Sequence, residues 1–251
     1  MISTIIVNYN QEDKLEHCLQ SVRDFTNEIL VIDLYSSDQS KKVAEKFNAI
    51  FIQQKKVPYV ELIRNFAVSK ANGDWVLVLD PDEIVSKQLK DELKKIIKQG
   101  EFDAVNIPRK NIFFGKWIAH SNWWPDRHIR FFKKGIVKWS DDIHSYPKVD
   151  GKILKLEAKE NLAIIHYGYK SISEFIDRQN RYSNIEADNL YADGERFSWV
   201  IFFWKPAREF LVRFLKHKGF LDGLIGFYLT ILMMIYQWMV LIKLWEKRKL
   251  K

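Results

Sequence analysis

Short apolar runs alternate with amphipathic stretches through the first hundred residues. Residues 2–7 are rich in β-branched and apolar side chains and predict a strand, and residues 13–24 carry apolar side chains at helical spacing. The strand signal repeats at 28–33, 49–53 and 75–79. The helical signal repeats at 39–47, 59–71 and 86–99. Asp38 is placed to cap the first of these, Pro58 lies just before the second, and Leu89, Leu93, Ile96 and Ile97 share one face of the third. Strand–helix alternation at this spacing predicts βαβ crossovers and a mostly parallel α/β sheet of Rossmann type. Short, wholly apolar strands need helices on both faces.

Beyond residue 102 the pattern changes. Residues 104–107, 129–133 and 162–166 predict strands, separated by a loop-rich stretch holding Trp117, Trp123, Trp124 and Trp139. Residues 172–193 predict a polar helix. From 197 onward the chain is strongly apolar with basic punctuation. Residues 223–242 carry no charge, and as a helix would be ~30 Å long, enough to cross a bilayer core. Gly223, Gly226, Thr230 and Gln237 interrupt that run, however. Upstream, Phe210, Leu211, Phe214 and Leu215 alternate with Arg208, Arg213, Lys216 and Lys218, the pattern of a helix lying on anionic lipid. Trp199, Trp204, Trp238 and Trp245 suit a headgroup-level belt. The expectation is monotopic attachment rather than a span, with a buried core helix or a dimer interface as the alternative.

Composition narrows the classes. The 251 residues suit one large domain with an appendage, and 47 % hydrophobic with 29 % charged residues excludes a wholly disordered chain. The single cysteine, Cys18, excludes an intrachain disulfide and a thiolate zinc cluster. That usage fits the cytoplasm, and residues 2–7 lack the basic start and length of a signal peptide. The net charge is +8, and +7 of it falls after residue 204, where ten Lys/Arg face Glu209, Asp222 and Glu246. Such an end expects an anionic surface as partner. Its apolarity, and the lack of a recognition motif, favour membrane over nucleic acid.

In an open parallel sheet, ligands bind at the carboxyl ends of the strands. The first strand ends in Asn8, Tyr9 and Asn10; the second in Asp33, followed by Ser36, Ser37 and Asp38; the fourth in Asp80-Pro81-Asp82-Glu83. Asp33 suits a ribose hydroxyl or a base N–H. No G-x-G-x-x-G and no P-loop is present, which disfavours nicotinamide, flavin and P-loop chemistry. Asp80 and Asp82, one residue apart past a buried strand, can share Mg²⁺ or Mn²⁺ with substrate phosphates, or merely form a solvated turn.

The combination resembles the family 2 glycosyltransferases. It is carried by IIVNYNQEDKLEHCLQSV at 5–22, EILVIDLYSSDQS at 28–40, RNFAVSKANGDWVLVLDPDE at 64–83 and WWPDRHIRFFKKG at 123–135. It continues through DDIHSYP at 141–147 and IIHYGYKSISEFIDRQNRYSN at 164–184, and is nearest the branch that adds β-1,4-glucose to the heptose of the lipopolysaccharide inner core. The resemblance implies a GT-A fold, a nucleotide-diphosphate sugar, a divalent metal and inversion at the anomeric carbon. It implies a catalytic domain over 1–195, with the nucleotide-sugar half at 1–100 and the acceptor half at 101–195. A membrane-associating region then covers 196–251, on the cytoplasmic face of the inner membrane.

By the same resemblance, Asn8 and Asn10 line the nucleotide pocket, Asp33 holds base or ribose, and Arg64 lies near the donor. Asp80 faces ribose and metal, and Asp82 is the direct metal ligand. Arg64 has a plainer alternative as a partner of Asp80 or Glu61, and Asn10 as a turn residue. Relatives often carry His-Glu where this chain has His144-Ser145. Serine cannot serve unaided as the general base, so Asp142 is the first substitute, with Asp126 next and Asp141 also near. His144 either contacts metal or phosphate or bonds backbone. Trp124, Arg127 and Arg130, with Lys133 and Lys134 nearby, are expected to meet a phosphorylated or acidic saccharide, or else to form core and a solvated basic face. His166 and Tyr167 read as packing or strand-end groups. A polyprenyl-phosphate acceptor and a non-catalytic membrane-docked nucleotide-sugar binder are the competing functions.

Overall fold

The computed structural model describes residues 1–57, 60–140 and 146–249. The chain forms two compact units, Met1–Arg109 with Arg127–His166, and Lys110–Asp126 with Tyr167–Lys251.

The first unit opens with β1 (Ile2–Asn8), α1 (Glu12–Val22), β2 (Glu28–Asp33), α2 (Ser40–Lys46), β3 (Ile50–Gln53), α3 (Glu61–Ser69) and β4 (Trp75–Leu79). β1 pairs in parallel with both β2 and β4, and β2 with β3, so the three crossovers are of the expected βαβ kind. β5 (Glu83–Val85), α4 (Lys87–Gln99), β6 (Ala104–Phe113), β7 (Lys116–Trp117) and β8 (Asp126–Lys133) follow. Next come β9 (Val137–Lys138), β10 (Lys148–Val149), β11 (Ile153–Lys155) and β12 (Ile164–Tyr169). The sheet order is β3-β2-β1-β4-β8-β6-β12-β5. β8 and β5 join it antiparallel, to β4 and β12 respectively.

Strand alternation splits the core in two. Ile6, Val31, Leu77 and Leu79 point to one face and pack with Leu15, Cys18 and Leu19 of α1, Val43 of α2 and Leu89 and Leu93 of α4. Ile5, Val7, Leu30, Ile32, Val76 and Val78 point to the other and pack with Ile63, Ala67 and Val68 of α3. Helices therefore cover both faces. α4 starts at its cap: the Ser86 hydroxyl accepts from Leu89 N at 3.1 Å. Asp38 does more than cap. One carboxylate oxygen accepts from Ser40 N at 3.0 Å and the other from Glu12 N at 3.0 Å, which ties together the starts of α1 and α2.

In the second unit the end of β6 pairs with β7, and α5 (Ile172–Ala192), α6 (Trp199–Phe210) and α7 (Gly223–Lys249) make a helical layer. A π-helical turn, Leu211–Lys216, and a 3₁₀ turn, Gly219–Asp222, link the last two helices. Pro206 sits inside α6 and has no N–H for the carbonyl of Phe202. The indole Nε1 of Trp238 donates to that carbonyl at 3.2 Å, so the gap in one helix is filled by its neighbour. Close approach at the start of α7 requires Gly226, where a Cβ would overlap the Gly219 carbonyl oxygen. Asp222 is buried and accepts from Ala119 N at 3.2 Å, His120 N at 3.0 Å and His120 Nδ1 at 2.9 Å.

Candidate active site

The carboxyl ends of β1 and β2 are joined by one buried carboxylate. Asn8 and Asp33 are register partners and both are 0 % exposed. Asp33 accepts from Asn8 Nδ2 at 3.1 Å, from Ser36 N at 2.8 Å and from the Ser36 hydroxyl at 2.5 Å. The Ser36 hydroxyl in turn accepts from Asn10 N at 2.8 Å, while Asn10 Oδ1 accepts from Ser37 N at 2.7 Å. Asn10 holds a left-handed φ of 49° to do so. Asn8, Asn10 and Asp33 thus come together as the sequence suggested. Asp33 itself is enclosed, and Tyr9, Asn10, Tyr35 and Ser37 reach solvent around it, Tyr35 at φ 58°. The ammonium of Lys56 lies 3.9 Å over the Tyr9 ring. Tyr35 carried no signal in the sequence beyond following Asp33 by two positions.

The end of β4 is an ion cluster. Arg64 Nη2 lies 3.2 Å from Asp80 Oδ1. Arg130 Nη2 lies 2.5 Å from Asp80 Oδ2 and 2.6 Å from Glu83 Oε1, bridging both carboxylates with a single nitrogen. Arg109 adds a contact to Glu83 at 3.3 Å, and Glu83 accepts from Asp80 N at 2.9 Å. Burial works against the charge on Asp80, but Arg130 and Arg64 outweigh it and hold that carboxyl far below the usual carboxylate range. Arg64 therefore makes the pairing that was its plainer alternative. Arg130, read from the sequence as an acceptor contact, is only 2 % exposed and is consumed by Asp80 and Glu83. Its Nε and Nη1 have no hydrogen-bond partner among the described residues.

Asp82 faces a different set. Its Oδ2 lies 3.7 Å from Lys14 Nζ and 3.7 Å from His166 Nε2. Antiparallel pairing of β12 with β5 sets His166 opposite Glu83 and so brings it to this turn. Nothing local in IIHYGY signalled that. Among the described residues no group of three His, Cys, Asp or Glu side chains is arranged around one point. Ligands 2.0–2.2 Å from one ion lie about 3 Å apart at a right angle and farther apart at wider angles. The Asp82–His166 separation fits a divalent ion with two protein ligands, its other positions left to substrate oxygens. Asp80 is turned to arginine. Beneath the turn, the buried Cys18 Sγ lies 3.6 Å from the Asp80 carbonyl oxygen.

The acceptor-side residues are dispersed. Asp126 Oδ2 accepts from the buried Asn111 Nδ2 at 3.1 Å. The Trp124 ring meets Trp117 edge-on at 5.6 Å and lies next to the cis bond to Pro125. Arg127 spends Nη1 on the carbonyls of Leu156 and, at 3.5 Å, Asn106, and does not present a free fork. Lys133 pairs with Asp103 at 2.7 Å and is the register partner of Trp75, which puts it at the amino end of β4, away from Asp80. Asp141, Asp142, His144 and Ser145 lie outside the described residues.

Residues 3–180 match the sequence family described as Glycosyl transferase family 2. An uncharacterized glycosyltransferase of Rickettsia typhi is 29 % identical over 98 % of this chain and 87 % of its own length. The glycosyltransferase SunS of Bacillus subtilis, derived from prophage SPbeta, is 28 % identical over 79 % of this chain and 47 % of its own. Among solved structures, S. aureus TarS shares the fold at a TM-score of 0.50 and 19 % identity, covering 74 % of this chain. The match spans 39 % of that TarS chain. TarS 1–349 in complex with UDP gives a TM-score of 0.50 at 18 % identity, with 72 % of this chain and 64 % of that one covered.

Proposed function

This chain belongs to glycosyl transferase family 2, and from that premise we propose that it transfers glucose from UDP-glucose, with inversion, to a membrane-anchored saccharide. The acceptor proposed is the lipopolysaccharide inner core, met at the cytoplasmic face of the inner membrane. One observation carries the reading. Asp80, kept ionised by Arg64 and Arg130, stands two residues from the Asp82–His166 pair at the carboxyl edge of a parallel sheet.

Each group then has a task suited to its chemistry. The corner closed by Asn8, Asp33 and Ser36 sets Tyr9 and Tyr35 to flank the nucleoside. Asp80, an acceptor at any working pH, takes a hydrogen bond from a ribose hydroxyl. Asp82 and His166 would hold Mg²⁺ or Mn²⁺, which would supply positive charge to offset that of the departing diphosphate. The acceptor hydroxyl attacks the anomeric carbon from the face opposite that leaving group, and a carboxylate takes its proton. Asp142 is assigned that role, with Asp126 as the other carboxylate in the acceptor half.

Two experiments test this. Titration of detergent-solubilised protein with a panel of nucleotide sugars should give Mn²⁺-dependent heat with UDP-glucose, at least tenfold tighter than with guanosine or adenosine analogues. Folded protein that binds no nucleotide sugar would sink the proposal. Asp142→Ala should keep donor affinity and lose transfer by roughly 10²–10⁴-fold, the usual worth of a general base. Wild-type transfer by that variant, with loss in Asp126→Ala instead, reassigns the base to Asp126.

A further inference from the structure

The outward face of α6 is more apolar than the inward one, the reverse of a helix on a water-soluble surface. Val200, Trp204 and Arg208 are exposed and fall within about 80° of arc at 100° per residue, and Leu211 and Leu215 of the following π-helical turn are exposed as well. Trp199 and Phe203 extend the same face, 67 % and 64 % exposed. The opposite side carries the polar contacts. Lys205 reaches Glu186 at 3.6 Å, and Glu209 pairs with Arg213. The 3₁₀ turn continues the outward apolar surface with Phe220 and Leu221, and α7 with Leu224, which is 71 % exposed.

The charges exposed along this segment are all of one sign. Between Trp199 and Leu224, Arg208, Lys216 and Lys218 are exposed, while Glu209 is engaged by Arg213 and Asp222 is buried. Exposed aromatics interleaved with unopposed basic residues complement a surface that is anionic outside and apolar a few ångströms in.

A span through α7 does not fit the packing. The stretch Gly219–Lys249 holds an 18-residue window of mean hydropathy 1.9, long and apolar enough to cross a membrane. One flank of α7 nevertheless lies along α5. There the Tyr236 hydroxyl donates to Glu186, and Lys243 Nζ donates to Asn180 Oδ1 at 2.6 Å and the Ser183 hydroxyl at 2.8 Å. Lys247 pairs with Asp188 at 2.5 Å. A bilayer around α7 would have to enclose the charged and polar groups of α5 as well.

The geometry points to an in-plane lipid foot made of α6, the turn after it and the first turn of α7, seated on an anionic bilayer surface with α7 packed on protein rather than crossing. The inference rests on the membrane-held acceptor for its purpose and on unit-internal geometry for its shape. The test uses the full chain and vesicles of phosphatidylcholine with or without phosphatidylglycerol. Wild-type protein should co-sediment with the anionic vesicles and not the neutral ones, and be released by alkaline carbonate. Trp199→Ser with Trp204→Ser should weaken that binding at least tenfold, and Arg208→Glu with Lys216→Glu should remove its dependence on phosphatidylglycerol. Unchanged binding in both variants, carbonate-resistant retention as for a span, or a dimer that the tryptophan variant dissociates without any vesicle binding would each overturn the proposal. UDP-glucose calorimetry on the same samples separates the two readings. Vesicle binding without nucleotide binding leaves the foot standing and the transfer reading fallen; the reverse leaves transfer standing and the foot fallen.

Discussion

Asp82→Ala should lower kcat/KM for Mn²⁺-dependent sugar transfer by about 10³-fold, equivalent to about 4 kcal/mol of transition-state stabilisation, while thermal unfolding stays cooperative. Asp82 is 7 % exposed and lies at the site end of the β4–β5 turn, outside both hydrophobic cores. The turn is closed by Glu83, which accepts from Asp80 N at 2.9 Å. The fold should therefore survive. Lys14 and His166, each 3.7 Å away, are the groups that lose an anion. His166→Ala is the informative companion, since it removes one neutral ligand and leaves the charge. It should raise the Mn²⁺ concentration for half-maximal rate with a smaller loss at saturating metal. A wild-type rate in Asp82→Ala would remove this carboxylate from the chemistry.

Arg130→Met should cost about 3–5 kcal/mol of stability, the penalty for leaving buried carboxylates short of their counter-charge. Arg130 is 2 % exposed and Glu83 0 %, so water does not reach in to compensate. The pH dependence gives the cluster a signature. Burial opposes ionisation of Asp80, but Arg130 and Arg64 lower its folded-state pKa far below the unfolded one. Its contribution is therefore complete above the ordinary carboxylate pKa of ~3.9, and is lost as pH falls from there through the folded value. In Arg130→Met Arg64 and, more weakly, Arg109 remain to act on Asp80, the depression shrinks, and the acid loss is confined to a narrower window nearer the ordinary value. Urea unfolding at neutral pH and in a series down to about pH 3 reads both effects. Arg130→Lys should fall between, because one nitrogen makes both bridges in the wild-type chain. Equal stability of Arg130→Met and wild type at neutral pH would contradict the cluster.

The parallel core was legible because its signals are local. Each of β1, β2 and β4 holds a short apolar run, Ile5–Val7, Ile29–Ile32 and Trp75–Leu79, closed by Asn8, Asp33 or Asp80. What the sequence concealed depends on pairing at a distance. β5 is three residues long and gave no periodicity, yet its antiparallel register with β12 is what delivers His166 to Asp82 from 84 positions away. Arg130 lay in a run of basic residues and so suggested an anionic acceptor. Only the pairing of β8 with β4 shows that it turns inward while Lys133 is carried to the other end. Pro206 does not end α6, which begins seven residues before it, since Trp238 supplies Phe202 O with the donor that the proline lacks.

The thiol under the β4–β5 turn has a use as a reporter. Burial, then the carboxylates of Glu83, Asp82 and Asp80, push the Cys18 thiol well above its ordinary pKa, which leaves it a poor nucleophile while that corner is closed. Maleimide chemistry on the native protein is therefore directed to any cysteine introduced elsewhere, with no need to remove Cys18. The residual slow alkylation of Cys18 becomes a clock for local opening of the catalytic edge, and ligands that occupy that edge slow it in proportion to the protection they confer.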